Sequence, residues 1–434
     1  MNNPNPIREI RTRRGAGALE MRELDRDARM PKLLDLPAGV SEAGECMRAQ
    51  HIVVVGLGSI GSYFAELLAR MGVASLLLID RDVSKSESVL THPLHPRDIG
   101  RPKATLGGER AKAICPATRV RVFDGAVEDL PLDAFVGATA VLLASDNLEC
   151  ERAVSRVSTH LGLPLIQASV HGPTLVAEVR SLANRVGEDG PCLTCGYQAA
   201  DWEALNTGTV YSCTGGPAKR NGIPTVSPPS LCSTAASLAI TELLARCTEL
   251  VSASESRVVT YCGFNHKTTV TSLDRRAECP SDHSVWRVAE WAGPLANATP
   301  RQLLSAAGCD GGDSLVAASM TVAGYRFCRV GICGCVAHPA LGRFVPALSE
   351  SSLCAKCEAR LEPHPLYTYE VVPGKALCSS LDQTLAELGV AEPSTVLVRV
   401  AEEASLFHSP RASARSRKLV PSNQAAQVTQ EVSP

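Results

Sequence analysis

Residues 51–72 read HIVVVGLGSIGSYFAELLARMG, and few folds accommodate that text. A short apolar run enters a G-x-G-x-x-G turn, and the turn opens directly into a helix with an apolar face. Gly56, Gly58 and Gly61 permit, in turn, a tight bend, close backbone approach to a phosphate and close helix packing. The unpaired amides of the helix N-terminus then face an anion. Asp80 follows 19 residues after Gly61, at the end of the next apolar run, where a carboxylate accepts from a ribose hydroxyl. The spacing predicts a bound nucleotide, against a plainer reading in which the glycines serve only strand-to-helix packing. Taken alone, the loop favours NAD. It does not distinguish a redox cofactor from a nucleotide that is itself consumed.

The pattern beyond the loop predicts strands over 51–55, 75–80, 120–123, 140–144 and 164–169, and helices over 59–71, 103–114 and 148–161. Strands separated by helical patterns pair in parallel. The expected fold is therefore α/β, a Rossmann-like doubly wound, mostly parallel sheet with ligands at the carboxyl ends of its strands. A loop-like region rich in Gly, Pro, Thr and Cys follows over 184–230. Next come the helix LCSTAASLAITELLARC, whose nearly all-round apolar surface implies burial, and a β-hairpin from SRVVTYCG and KTTVTSLD. The chain divides into an arginine-rich N-terminal extension (1–45, with a short helix in ALEMRELDRDARMPKLL), the α/β domain (46–290), a smaller α+β unit (291–407) and a disordered tail (408–434).

With 43 Lys and Arg against 45 Asp and Glu, the charge balance argues against an electrostatic nucleic-acid binder. Apolar runs such as Val53–Val55 and Leu76–Ile79 fall far short of the roughly 20 residues of a membrane helix. The opening text MNNPNPIREIRTRRGAG holds no secretory apolar core, so a soluble cytoplasmic protein is expected. In that reducing setting its 17 cysteines point to metal or catalysis rather than disulfides.

Two charged residues turn the nucleotide reading away from NAD. DIGRPKA puts Lys103 at the start of a helix, suited to neutralising phosphate charge, and LLASDN puts Asp146 just past a buried strand, where a hard carboxylate can hold Mg²⁺. The plainer alternatives are a solvated helix lysine and an N-cap at Ser145 or Asp146.

The cysteines form two clusters. PCLTC offers Cys192 and Cys195, and RRAECPSDH offers Cys279 and His283, together a Cys3His zinc site in which Cys262 or Asp282 could replace the imidazole. Cys333 and Cys335 pair at ribbon-like spacing with Cys354 and Cys357 as a second, structural zinc site, with Cys328 and His338 as spare ligands. The smaller unit is thus expected to be a zinc-containing α+β domain. Cys213, in a loop without a second ligand, is a candidate nucleophile with Lys219 and Arg220 near in sequence, or a small buried residue. Cys232 falls within the buried helix and is expected to pack.

From His51 to about His283 the order of motifs resembles the E1-like superfamily of ubiquitin-activating, ThiF and MoeB enzymes. The shared features are the glycine loop, DRD at Asp80 to Asp82, DIGRPK, SDN, the C-x-x-C knuckle, the GIPTVSPPSLCSTAASLAITELL helix and the late Cys-Pro. The resemblance implies a homodimeric adenylation domain that binds Mg-ATP and the C-terminal glycine of a ubiquitin-like or sulfur-carrier protein. It assigns Gly56, Gly58 and Gly61 to the ATP loop, Asp80 to the ribose, Lys103 to the phosphates and Asp146 to Mg²⁺. It also makes Cys213 a thiol that accepts the activated carboxylate, and Arg26 or Arg29 the arginine that reaches the opposite protomer's phosphates.

One segment departs from that pattern. Where members carry an Asn and an Arg in a text like SNLxRQ, this chain reads SESVLTHPLHPRDIG. Ser88 replaces the Asn, Thr91 and His92 replace the Arg-Gln pair, and Arg97 or Arg101 is left to supply the missing charge. The expected activity is adenylation of a carrier protein, with a catalytically weakened scaffold and an NAD-dependent oxidoreductase as alternatives. The unit after Trp291 is expected to recruit the carrier, or an E2-like or sulfurtransferase partner.

Overall fold

The computed structural model describes residues 7–11, 43–184, 190–206 and 227–308, and beyond these a set of short strands, residues 381–388 and the stretches 395–400 and 403–409. The suggested N-terminal helix, Arg26, Arg29, Cys213, Lys219, Arg220, the second cysteine cluster and residues 410–434 lie outside the described residues.

The principal sheet contains β1 (Arg8–Glu9), β2 (His51–Val55), β3 (Ser75–Ile79), β4 (Arg119–Phe123), β5 (Ala140–Leu143), β6 (Leu165–His171), β7 (Val176–Leu182), β8 (Arg257–Cys262) and β9 (Lys267–Ser272). Its order is β1-β4-β3-β2-β5-β6-β7-β8-β9. The central run β4-β3-β2-β5-β6 is parallel, and β1 and β7 to β9 join antiparallel. The strand order reverses direction between β2 and β5, the position at which doubly wound folds bind ligands.

The helices are α1 (Ala43–Arg48), α2 (Gly61–Met71), α3 (Ser88–Thr91), α4 (Lys103–Ile114), α5 (Leu148–His160), α6 (Ala199–Asn206), α7 (Pro229–Cys247) and α8 (Pro300–Ala306). HIVVV, SLLLI and AVLL show no polar alternation because both faces of these strands are covered. The two-residue period sorts them: Ile52, Val54, Leu76 and Leu78 pack with Phe64 and Leu68 of α2 and Ala235 and Ala239 of α7. Val53, Val55, Leu77 and Ile79 pack on the other face with Val154 of α5.

Three local features differ from the sequence expectation. Strand β7 is an unanticipated addition, and its alternating burial shows why a search for continuous apolar runs passes over it. Helix α7 is buried on one side only: Ser237 and Thr241 are exposed, and their hydroxyls donate to the carbonyls of Ser233 (2.8 Å) and Ser237 (2.9 Å). Small alanines and self-bonding hydroxyls make this helix look more apolar than its surroundings require. Third, Arg287–Glu290 pairs in parallel with Glu403–His408, so residues 287–290 belong to a second, five-stranded sheet. That sheet buries Leu295, Leu303, Leu385, Leu388, Val396 and Phe407, and a small cluster of Val136, Trp286, Ala404 and Leu406 joins the two units. Among the described residues no helix is long and apolar enough to cross a membrane.

Candidate functional site

The glycine loop lies at the strand-order reversal, against the loop that follows β5. Gly56 has φ +83°, and a Cβ there would stand 2.5 Å from the Ala144 carbonyl oxygen. A Cβ on Gly61 would stand 1.7 Å from the Gly56 carbonyl oxygen. Neither contact is with a flexible side chain, so only glycine fits. Gly61→Ala is expected to destabilise the domain by about 3 kcal/mol or more and to lower soluble yield; thermal melting near the wild-type temperature would refute that packing.

Asp80 fastens this loop from below. Its Oδ2 accepts from the Leu57 amide at 2.6 Å and its Oδ1 from the Asp82 amide at 2.7 Å. Burial pushes the carboxyl above its usual range, while Lys103 and the two amides pull against that rise. Lys103 is the first residue of α4, and its Nζ lies 3.2 Å from Asp82 Oδ2. Both side chains are 13% exposed, so the pair is largely shielded from water.

Asp146 stands exposed on the loop beyond β5. The N-cap of α5 is Asn147, whose side chain accepts from the Glu149 and Cys150 amides at 2.9 and 3.0 Å. Asn147, rather than Ser145 or Asp146, is thus the N-cap. The glycine loop, Asp80, Asp82 and Lys103 are brought together on the first βα turns, and Asp146 lies on the adjoining one.

The departing segment is committed differently. Ser88 is buried and its Oγ accepts from the Lys85 amide at 3.2 Å, a bond internal to its own turn. Arg101 is held by Glu109 at 2.7 Å and Asp98 at 3.7 Å, while Arg97 is exposed on the 3₁₀ turn Pro96–Asp98. His92 instead turns inward: its Nε2 lies 3.9 Å from the position of a Cβ on Gly58, and its Nδ1 lies 2.9 Å from Thr91 Oγ1.

A second centre gathers Cys192, Cys195, Cys279 and His283, whose ligand atoms all lie within 4.8 Å of one another. The 3₁₀ turn Leu193–Gly196 folds the C-x-x-C pair back on itself, and the segment after β9 returns the other two ligands. Cys192 Sγ is 3.8 Å from both Cys195 Sγ and Cys279 Sγ, and Cys195 Sγ is 3.2 Å from His283 Nε2. A tetrahedral zinc with bonds of about 2.3 Å to sulfur has S···S edges of about 3.8 Å, so the donor set fits that ion. The hydrogen bond from Cys195 holds the Cys192 thiol well below its usual range, toward the thiolate form that a metal requires. Of the alternative ligands, Asp282 pairs with Arg399 at 3.1 Å, and Cys262 stays outside the cluster on β8. Cys232 is fully buried in α7, as packing requires.

Between the two centres lies an acid that the sequence reading passed over. Glu151 accepts from Gln167 Nε2 at 2.8 Å and from the Tyr197 hydroxyl at 2.8 Å. Its signal was present, because Glu151 shares the inward face of α5 with Val154, Ser155 and Ser158. Burial raises its carboxyl to about 7. The folded state then holds this proton to higher pH than the unfolded chain, so stability falls as pH rises from about 4.5 to about 7 and levels above. Glu151→Gln should raise the melting temperature relative to wild type at pH 8 and leave it nearly unchanged at pH 5; scanning calorimetry giving the reverse order would refute this.

These features define a doubly wound α/β domain with a glycine loop at its strand-order reversal and a Cys3His cluster beside α5. The ThiF family model matches residues 34–281, more than half the chain, and the protein belongs to the ThiF family. Over 167 residues it is 28% identical to the SAMP-activating enzyme E1 of Haloferax volcanii, covering 38% of this chain and 58% of that protein. Over 181 residues it is 29% identical to the sulfur carrier protein adenylyltransferase of Thermus thermophilus, covering 40% of this chain and 64% of that protein. The chain thus spans about three-fifths of the length of these relatives. A crystal structure of E. coli MccB with succinimide aligns over 55% of this chain and 68% of its own at 15% identity, with a TM-score of 0.44.

Proposed function

We propose that the protein adenylates the C-terminal glycine carboxylate of a ubiquitin-like or sulfur-carrier protein with ATP. The observation that carries this reading is the assembly of Gly56, Gly58, Gly61, Asp80 and Lys103 at one end of the sheet, with Asp146 on the adjoining loop. The named activities of the two relatives point the same way.

The carboxylate is already a nucleophile, so its attack on the α-phosphorus needs no general base. A C–O–P bond forms, the bond to the β-phosphate oxygen breaks, and pyrophosphate leaves. The chain's contribution is positioning and neutralisation: loop amides align the triphosphate, Lys103 counters its charge, and Asp80 holds the loop and the ribose. Mg²⁺ held by Asp146 would shield the triphosphate. Zn²⁺ held by Cys192, Cys195, Cys279 and His283 would staple the knuckle.

Capture of the acyl group by Cys213 as a thioester, a homodimer completed by Arg26 or Arg29, a second zinc at Cys333, Cys335, Cys354 and Cys357, and recruitment of carrier or E2-like partners by the second unit extend the same reading. A weakened scaffold is the competing reading, favoured by the engagement of Ser88 and Arg101 within their own surroundings. ATP–pyrophosphate exchange, assayed with carrier proteins ending in glycine, separates the two. Carrier-dependent exchange supports adenylation; nucleotide binding without exchange supports the scaffold.

A further inference from the structure

The segment that departs from the resembling enzymes places an unusual group beside the glycine loop. His92 follows α3 and is anchored by its amide, which donates to the Ser88 carbonyl at 2.8 Å. Its Nε2 is buried and has no hydrogen-bond partner among the described residues. A buried polar nitrogen without a partner is destabilising, and such groups in native structures call for a physical reason. The neighbour is Gly58, the one of the three loop glycines with no atom closer than 3.9 Å to the space a Cβ would fill. That space is where an anion can approach the backbone.

We propose that His92 is a phosphate ligand of this site, its Nε2–H donating to a phosphate oxygen of the bound nucleoside triphosphate over Gly58. The inference rests on the nucleotide reading above and names a residue for it. The assignment requires the tautomer in which the Thr91 hydroxyl, 2.9 Å from Nδ1, donates to that nitrogen and the ring proton resides on Nε2. Burial and the Lys103 cation together hold the imidazole down to about 4, so at neutral pH the ring is an uncharged donor. Charge and direction are thereby divided, with Lys103 supplying the first and His92 the second.

The test compares the full wild-type chain with H92Q, which can keep a donor near Nε2, and H92F, which keeps the ring but no donor. Calorimetric titration with Mg-ATP and with adenosine is combined with ¹⁵N spectra of ring-labelled histidine. H92F should bind Mg-ATP on the order of ten- to a hundredfold more weakly, H92Q should recover most of that loss, and adenosine binding should change in neither. The His92 ring resonances should move with Mg-ATP and not with adenosine. Equal Mg-ATP affinity in wild type and H92F would overturn the assignment while leaving the nucleotide reading intact. Parallel loss of adenosine binding would assign His92 a structural role instead. Absence of Mg-ATP binding by the wild type would remove the nucleotide reading and this inference with it.

Discussion

Replacing Lys103 with alanine is expected to reduce ATP–pyrophosphate exchange by about 100- to 1000-fold, the range for deleting one preorganised charge-stabilising donor. The size follows from what surrounds Nζ. Lys103 is the cation facing Asp82 at 3.2 Å, and Asp80 lies on the same turn with its charge opposed by the same lysine. Asp82 Oδ1 already has no hydrogen-bond partner among the described residues. Without the ammonium, these carboxylates would confront an incoming polyanion directly, so the variant loses attraction and gains repulsion. Lys103→Arg restores charge in a different shape and should recover only part of the rate, because an ammonium meets a phosphate as a point charge and a guanidinium as a flat fork. Exchange at the wild-type rate in the alanine variant would place the phosphates elsewhere.

Loss of the Cys3His cluster should act at a distance from the glycine loop. Cys279→Ser is expected to lower bound zinc by one equivalent, drop the melting temperature on the order of 10 °C and expose residues 274–286 to protease. The chain covers only three residues from His283 to Trp286, whose indole stacks on His160 at 4.0 Å with planes 8° apart. The Trp286 amide donates to the His160 carbonyl at 2.7 Å, and the next residue starts the second sheet. A metal at the knuckle would therefore anchor the strand by which the second unit leaves the first. Elemental analysis, limited proteolysis and tryptophan fluorescence report the three effects separately. Unchanged proteolysis after loss of one zinc would show that the stack and the Val136, Leu406 cluster hold the junction unaided.

Much of the first unit was legible because its elements advertise themselves locally. Strands β2, β3 and β5 are unbroken apolar runs, α4 begins and ends at residues 103 and 114 as the pattern predicts, and the glycine spacing marks the turn between them. The pairing of Cys192 and Cys195 with Cys279 and His283 was also readable, since a metal needs four donors and the C-x-x-C pair offers two. Strand β7 and the role of Glu151 were not. An alternating strand has no signature distinct from a polar loop until its partners are known, and an acid in a helix reads as solvated until a neighbouring strand covers it.

The amino-acid sequence by itself determined the doubly wound class, the place of the glycine loop and the three cysteines that gather with His283. Those properties depend on periodicity and on side-chain chemistry that each residue carries with it. Only the tertiary structure decided that His283 and not Cys262 or Asp282 joins the three cysteines, that Asn147 and not Asp146 caps its helix, that Arg101 is engaged by Glu109, and that His92 reaches the loop with Nε2 unpartnered among the described residues. Partnership is a property of space: whether a polar atom is satisfied is settled by groups that arrive from other elements, and no local pattern records their arrival.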